Sequence, residues 1–521
     1  LLMCAVLTAN RVAFKQSDFS GGQNSSDEPA SIGKNQAVLL QNCIITKQGK
    51  CTQRNGITAL GTANSTTNII LGLFHFNVGA TLDTMLRARA TKIQRLADDY
   101  SDWTDIAGLT SLTTGLTTNF IQALDKCFIL NGTDNVFSID SAFTVTDEGN
   151  TNTDFPKTTV AEWTPNNRMF ASGSQTIATR DYVWFSNSID PQTWDRATNV
   201  FKVRSGDGGI VTWLKSFKEF ELIIYKNDSI FVLNMDGTTP LTDWDLKPLS
   251  VAVGCPAGRT VQDIGNDHIF LANDGVRLLS RTTFDKLRVG VISDPIRDII
   301  DSINWDAIGT ANAWFENGLY ILNIPTGTAS VPDRTVIWDS IAAQRNGDPS
   351  SAWTTVPKAT WNFLCMSSYG FGDNIKTVVG GSSLATSLCY KVLNGTTDAG
   401  TAITQRIVTK QIDYDDSFSK KIFDPSQFVA DGGSEAIYLI EMQVEEGGWV
   451  TIGQIDLTGN LMTPFNTPQT TVAFANATKN FRTKFAGRGA YVQYRITNSV
   501  SGKIPTFIEY TVFARQYMGR I

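Results

Sequence analysis

Short apolar segments separated by turn residues run through residues 61–400, and one stretch sets the pattern. In CFILNGTDNVFSID, residues 127–140, two apolar segments at 128–130 and 136–139 flank Asn131-Gly132-Thr133-Asp134-Asn135. Those five residues tolerate positive φ, so the stretch predicts a β-hairpin with a slightly long loop. The unit recurs as LIIYKNDSIFVLN (222–234) and IFLANDGVRLLS (269–280). An Asn stands in a comparable place in YVWFSNSIDPQTW (182–194) and WFENGLYILN (314–323). With Asn131, Asn187, Asn227, Asn273 and Asn317 as markers, successive spacings are 56, 40, 46 and 44 residues. A hairpin cannot bury its own apolar face and must stack on others. A period of roughly 40–50 residues with several strands in each is that of a β-propeller blade. The competing interpretation is an ordinary β-rich chain whose turns happen to carry Asn, since neither a WD dipeptide nor a double Gly marks every repeat.

The predicted blades begin with IILGLFHF, TMLRARA and KIQRLAD and continue past Arg168 to about residue 393, six or seven in all. One stretch, DPIRDIIDSINWDAI (294–308), predicts a helix. Asp294 is placed to cap it, Pro295 fits the first turn, and Ile296, Ile299, Ile300 and Ile303 recur at helical spacing. After about Thr401 the segments lengthen and alternate apolar with polar residues, as in EAIYLIEMQVEEGGWVTIGQID and TFIEYTVFARQY. That alternation predicts antiparallel sheet with one wet face, in a sandwich. The expected organisation is all-β: an extended N-terminal arm and docking segment (1–60), a β-propeller (61–400) and a C-terminal antiparallel β-sandwich or sheet domain (401–521).

The length of 521 residues suits two or three domains. No apolar run reaches about 18 residues, so no helical membrane span is expected. LLMCAVL at the start is too short for a signal-peptide core and lacks a basic region before it, and the surroundings of Cys4 fit a lipoprotein cysteine poorly. The seven cysteines, at 4, 43, 51, 127, 255, 365 and 389, include no CxxC. They are expected to be buried thiols of a protein folded in a reducing cytoplasm, with a Cys43–Cys51 bridge disfavoured. The net charge of −6 and the lack of a basic block argue against a protein that grips nucleic acid by its phosphates.

Candidate chemistry is sparse. The two histidines, His75 and His268, fall in predicted strands, too few for most metal sites and without a Cys cluster to complete one. Nucleophile-elbow, Walker A, zincin and EF-hand patterns are absent, and Ser501-Gly502-Lys503 is only a turn. Ser188-Ile189-Asp190-Pro191-Gln192-Thr193-Trp194 approaches the Asp box of sialidase-type propellers but is one residue short, lacks the Gly and occurs once. In this segment Pro191 is expected to end the strand and Trp194 to pack back over the neighbouring sheet. Asp98-Asp99, Asp413-Asp415-Asp416 and Glu445-Glu446 read as solvated turns rather than glycosidase carboxylate pairs. No catalytic, cofactor-binding or metal-binding residue is therefore assigned, and no enzymatic activity is expected.

The N-terminal run carries Phe19, Gly21, Gly22, Asn24, Asp27, Pro29, Asn35, Gln36, Ala37, Asn42, Gly49, Arg54 and Gly56 at characteristic spacings. It resembles the opening of tail proteins from short-tailed, podovirus-type bacteriophages, where it precedes the β-propeller-containing nozzle (tubular) subunit. DYVWFSNSIDPQTWD and the closing AGRGAYVQYRITNS … FIEYTVFARQYMGR are similar to segments of the same group. The resemblance implies a structural virion protein, assembled in the host cytoplasm, that forms a hexameric ring for double-stranded DNA ejection. Its implied partners are other copies of itself, adaptor or portal-side proteins, and tail fibre or needle/plug proteins. DNA would pass without sequence-specific binding, with Asp98-Asp99, Asp147-Glu148 and Asp413-Asp415-Asp416 as candidates for an acidic lumen. The alternative is a tail-associated glycan-binding or glycan-cleaving propeller, and a lectin-like or scaffold propeller is a third class.

Overall fold

The computed structural model describes residues 11–62, 68–109, 112–218, 220–235, 240–281, 287–371, 375–384, 386–431, 436–457, 479–483, 487–500 and 502–516. Cys4, Ser501 and the closing residues 517–521 lie outside them.

Seven antiparallel sheets follow one another along the chain. Blades 1 to 6 are built from residues 70–105, 119–147, 160–202, 211–250, 262–291 and 312–356, each four strands deep. In blade 3 the outer layer is split, with Asp190–Trp194 and Val200–Lys202 both pairing Tyr182–Asn187. Blade 7 takes three strands from Phe363–Tyr369, Thr377–Ser382 and Cys389–Val392. Its fourth comes from the other end of the chain, Ile57–Leu60, in register as Cys389↔Leu60 through Val392↔Ile57.

Side-chain alternation explains the ring. Along Lys126–Leu130, Cys127 and Ile129 enter a core shared with blade 1, whereas Phe128 and Leu130 enter one shared with blade 3. Leu222 and Ile224 face blade 3 while Ile223 and Tyr225 face blade 5. Ile269 and Leu271 face blade 6 while Phe270 and Ala272 face blade 4. Each blade therefore buries both faces, and the interface between blades 7 and 1, where Ile70, Leu73 and Met85 meet Cys365 and Val379, closes the circle. The fold is a seven-bladed β-propeller.

The remaining strands form a β-sandwich. One sheet contains Arg11–Gln16, Thr506–Gln516 and Lys421–Asp431, with Cys51–Gln53 and Cys43–Ile45 beyond. The other contains Gln36–Gln41, Thr401–Thr409, Val492–Val500, Ile437–Val444 and Val450–Asp456. Phe428, Tyr438, Tyr494, Phe507 and Tyr510 fill the space between them. Pro425 sits inside the strand Lys421–Asp431, where the register shifts between Asp424 and Gln427, so its missing N–H falls at a bulge. The first sixty residues do more than dock as an arm: they supply strands to both sheets of the sandwich and the closing strand of the propeller.

The helix expected over 294–308 is broken. A 3₁₀ turn at Asp294–Ile296 leads into a short α-helix, Arg297–Asp301, and a second 3₁₀ segment spans Trp305–Thr310. The N-cap position is Ser293, without a side-chain bond, rather than Asp294. All four isoleucines are buried as their spacing implied. The chain leaves the helix because Ile303 bridges Thr326 and the Asn304 N–H donates to the Pro325 carbonyl (2.9 Å), tying it to blade 6.

All six described cysteines are buried and free of disulfides. Burial raises the thiols of Cys255 and Cys365 to about 12 and that of Cys127 well above its ordinary value. Because all six are buried away from reagent, they are expected to resist maleimide at pH 7 and to react together on unfolding, as mass spectrometry would show. Rapid labelling of Cys127 in the native protein would contradict the buried-strand placement.

Candidate functional site

Two places concentrate polar side chains: the seam joining propeller to sandwich, and the cavity on the propeller axis.

The seam is made by the spaced N-terminal residues. Phe19 is fully buried against Phe507 and Tyr510, at ring separations of 6.0 and 6.5 Å. The Ala352 N–H of blade 6 donates to the Gly21 carbonyl (3.1 Å), the Gly21 N–H donates to the Asn35 carbonyl (3.0 Å), and the Phe19 N–H donates to the Gly49 carbonyl (2.7 Å). Gly22, at φ +77°, lies so close to blade 6 that a Cβ there would be 2.5 Å from the Trp353 nitrogen. Asn24 donates to Asp27 (2.9 Å) and Gln36 (3.2 Å), closing the intervening loop, and its backbone N–H bonds to the Ala37 carbonyl (2.8 Å). Asn42 reaches both units: its backbone N–H bonds to the Thr355 carbonyl of blade 6 (2.8 Å), and its amide donates to the Thr404 carbonyl of the sandwich (2.7 Å). The Pro29 carbonyl accepts from Gln411 (2.9 Å).

Arg54 is the centre of this seam. Its side chain is wholly buried, donates to both Asp398 oxygens at 2.8 and 2.5 Å, and donates through Nε to Asn42 (2.8 Å). The guanidinium lies 4.4 Å from the Trp361 ring centroid, and the Trp361 indole donates to the same carboxylate (3.2 Å). A bidentate, stacked guanidinium with its partners satisfied is a fixed structural joint.

The cavity is different in kind. It measures about 370 Å³ and is walled by the innermost strands of all seven blades. Glu162, Lys215 and Asp263 come from blades 3, 4 and 5; Lys215 Nζ lies 3.6 Å from Glu162 and 3.0 Å from Asp263. Asp263 continues to His268 (3.1 Å), whose other ring nitrogen meets the Tyr225 hydroxyl (2.9 Å). Glu162's charge, opposed by burial and reinforced by Asp263, raises the Lys215 ammonium above its ordinary range. Burial works against ionisation of Asp263, but the His268 hydrogen bond and Lys215 together outweigh it and hold its carboxyl low. Phe74, Phe120, Trp213 and Trp314 supply aromatic surface to the same space. Arg259, also in the wall, makes no hydrogen bond or ion pair among the described residues; its Nη1 is buried without a partner, as is the Trp314 indole nitrogen.

The two pKa directions set opposite limbs of a stability profile. A depressed carboxyl stabilises above its unfolded value of about 3.9, and that contribution is lost as pH falls through the lower folded value. A raised ammonium stabilises below about 10.4 and loses its contribution as pH rises through the higher folded value. Lys215→Met should therefore cost about 1–3 kcal/mol at pH 7, discounted because Asp263 is half-exposed. Urea unfolding should show the gap to the parent narrowing below about pH 4 as Asp263 protonates. An unchanged gap would contradict the ion network.

Both histidines lie in strands, Ile70–Val78 and Asp267–Ala272, but His268 is joined to the cavity carboxylate. Trp194 is buried, stacks 4.9 Å from Phe155, and donates to the Pro191 carbonyl (2.9 Å), while Pro191 sits within the strand Asp190–Trp194 instead of ending one. Asp98 and Asp99 are exposed between the third and fourth strands of blade 1, on the propeller's outer side, away from the axis. Glu148 is buried, bonded to Ser138 and to Gln192 (2.7 Å), and so cannot be an exposed lumen charge. Asp413, Asp415 and Asp416 form a turn beside the sandwich, and Glu445 accepts from the Ala490 N–H (2.8 Å). The cavity residues were missed because blade spacing does not reveal which single positions face the axis. Among the described residues no group of three His, Cys, Asp or Glu is placed to hold a metal ion.

No family model and no curated protein matches the chain. Among solved structures it is similar to the extracellular domain of a hybrid two-component system from B. thetaiotaomicron, at 6% identity and TM-score 0.42, covering 65% of this chain and 40% of that one. PorZ of the Porphyromonas gingivalis type-IX secretion system matches at 11% identity and TM-score 0.36, covering 68% and 42%. The chain thus spans about two-fifths of the length of these two. The Neurospora crassa Pan2 WD40 domain matches at 7% identity and TM-score 0.35, covering 64% of this chain and 98% of that domain.

Proposed function

We propose that the protein is a structural subunit of a short bacteriophage tail, where copies of it close into a nozzle that conducts double-stranded DNA. The observation that carries this reading is the position of the residues that resemble nozzle proteins. Gly22 lies against blade 6, Asn42 joins blade 6 to the sandwich, and Arg54 and Gly56 meet Asp398 and Thr397, while Phe19 and Asn24 hold the adjoining segment in place on the sandwich side. The likeness therefore concerns the architecture of a rigid two-part subunit. Head-to-tail contacts between such subunits generate a ring when the rotation closes, and the family likeness supports six copies. Adaptor or portal-side proteins above and fibre or needle proteins below are the partners this reading supplies, with no catalytic activity of its own.

The DNA path follows from charge. A wall that paired many phosphates would hold the duplex by salt-sensitive contacts, whereas a subunit of net charge −6 favours a conduit that repels it. The purified protein is expected to bind duplex weakly at every salt concentration in an electrophoretic or fluorescence assay. Tight binding that falls steeply with salt would overturn the repulsive conduit. The nozzle reading itself is tested by antibody against the purified protein, which should decorate the tails of particles made by a phage encoding it. Particles that lack the protein altogether would end the assignment.

A further inference from the structure

Arg259 is the anomaly of the propeller cavity. The cavity's other cation, Lys215, has Glu162 and Asp263, and the fully buried Arg54 and Lys226 have Asp398 and Asp207. Among the described residues Arg259 has neither a carboxylate nor any hydrogen-bond acceptor, and burial lowers its pKa against an opposing effect from Cys365. An uncompensated guanidinium inside a protein is costly, so its retention in the wall of a cavity points to an anion supplied from outside. Its Nη1 is buried without a partner, no hydrogen bond to a described residue engages Nε or Nη2, and the side chain lines the cavity. A planar fork is suited to a carboxylate or phosphate.

The rest of the wall chooses between these. Glu162 and Asp263, paired with Lys215 in the same space, accept hydrogen bonds from hydroxyl groups, which a sugar offers in number and a phosphate dianion does not. Phe74 and Phe120, stacked at 5.8 Å, and Trp213 offer apolar faces of the kind that pack against a sugar ring. The volume of about 370 Å³ lies at the small end of ligand pockets, which run roughly 300–1,000 Å³. We infer that the propeller cavity binds a carboxylate-bearing sugar, a hexuronate or similar acidic residue of a polysaccharide. Arg259 holds the carboxylate, and Glu162 and Asp263 receive the hydroxyls. The site is independent of the nozzle reading, since it needs neither a ring nor a tail.

The test is calorimetric titration of the intact protein with glucuronate, glucose and inorganic phosphate in parallel. Glucuronate should bind in about the millimolar range, and glucose and phosphate at least about tenfold more weakly. Arg259→Gln should abolish the preference for glucuronate over glucose while leaving the thermal unfolding midpoint unchanged or raised, because an unpaired buried charge has been removed. No glucuronate binding, equal binding of glucose, equal binding of phosphate, or a preference that survives Arg259→Gln would each overturn the inference. The parent protein's three titrations decide the matter even if the substituted chain fails to fold.

Discussion

Arg54→Met is expected to destabilise the protein by about 3–5 kcal/mol, the usual cost of removing one partner from a buried, hydrogen-bonded ion pair. The substitution leaves Asp398 with its 12% exposed side chain facing only the Trp361 indole, and it strips Asn42 of its Nε donor. Asn42 also ties blade 6 to the sandwich, so the loss should spread through the seam and not stay local. Urea unfolding followed by tryptophan fluorescence reads the effect directly. The double substitution Arg54→Met with Asp398→Leu should recover much of the loss, because it removes the orphaned charge as well. A single substitution that costs under about 1 kcal/mol would show that the pair behaves like an exposed one.

Gly22→Ala should cost about 2–5 kcal/mol. Its positive φ is unfavourable for any side chain, at about 1–2 kcal/mol, and overpacking adds about 1–3. The added carbon would sit 2.5 Å from the Trp353 nitrogen and 2.7 Å from the Ala352 Cα, both backbone atoms that cannot rotate away. Gly79→Ala is the control: it also has positive φ, +54°, but nothing lies within 4 Å of the added carbon. It should cost only the backbone component, about 1–2 kcal/mol. Thermal unfolding of the two variants side by side separates the clash from the conformation. Equal losses would mean that the N-terminal segment does not pack against blade 6 as described.

The blade was legible because its second strand is buried on both faces. FIL at 128–130, LIIY at 222–225 and IFLA at 269–272 are continuous apolar runs for that reason. The uneven marker spacing has a physical cause too. Asn131, Asn227 and Asn273 all sit between the second and third strands of their blades, and one period averages near their 46–48 residue separation. Asn187 instead ends the third strand of blade 3, and Asn317 follows the first strand of blade 6, so these two count different turns. The blade closed by Ile57–Leu60 could not be read from local pattern, because its fourth strand lies more than three hundred residues from its third. The strand Lys421–Asp431 was hidden by Pro425, which a bulge accommodates. At the site level the acidic loops drew attention because they are conspicuous in sequence; Glu148 is buried, whereas Asp98-Asp99 is exposed on the propeller's outer side. Glu162, Lys215 and Asp263 look ordinary in sequence, as does Arg259, and acquire meaning only when three blades bring them to one axis.

The nozzle assignment is tested most directly by single-particle electron microscopy of the assembled protein, free or on the tail. The account predicts a closed ring of six propeller–sandwich subunits around a channel wide enough for a DNA duplex. A protein that remains monomeric both alone and on the particle, or a closed assembly with no axial channel, would contradict it.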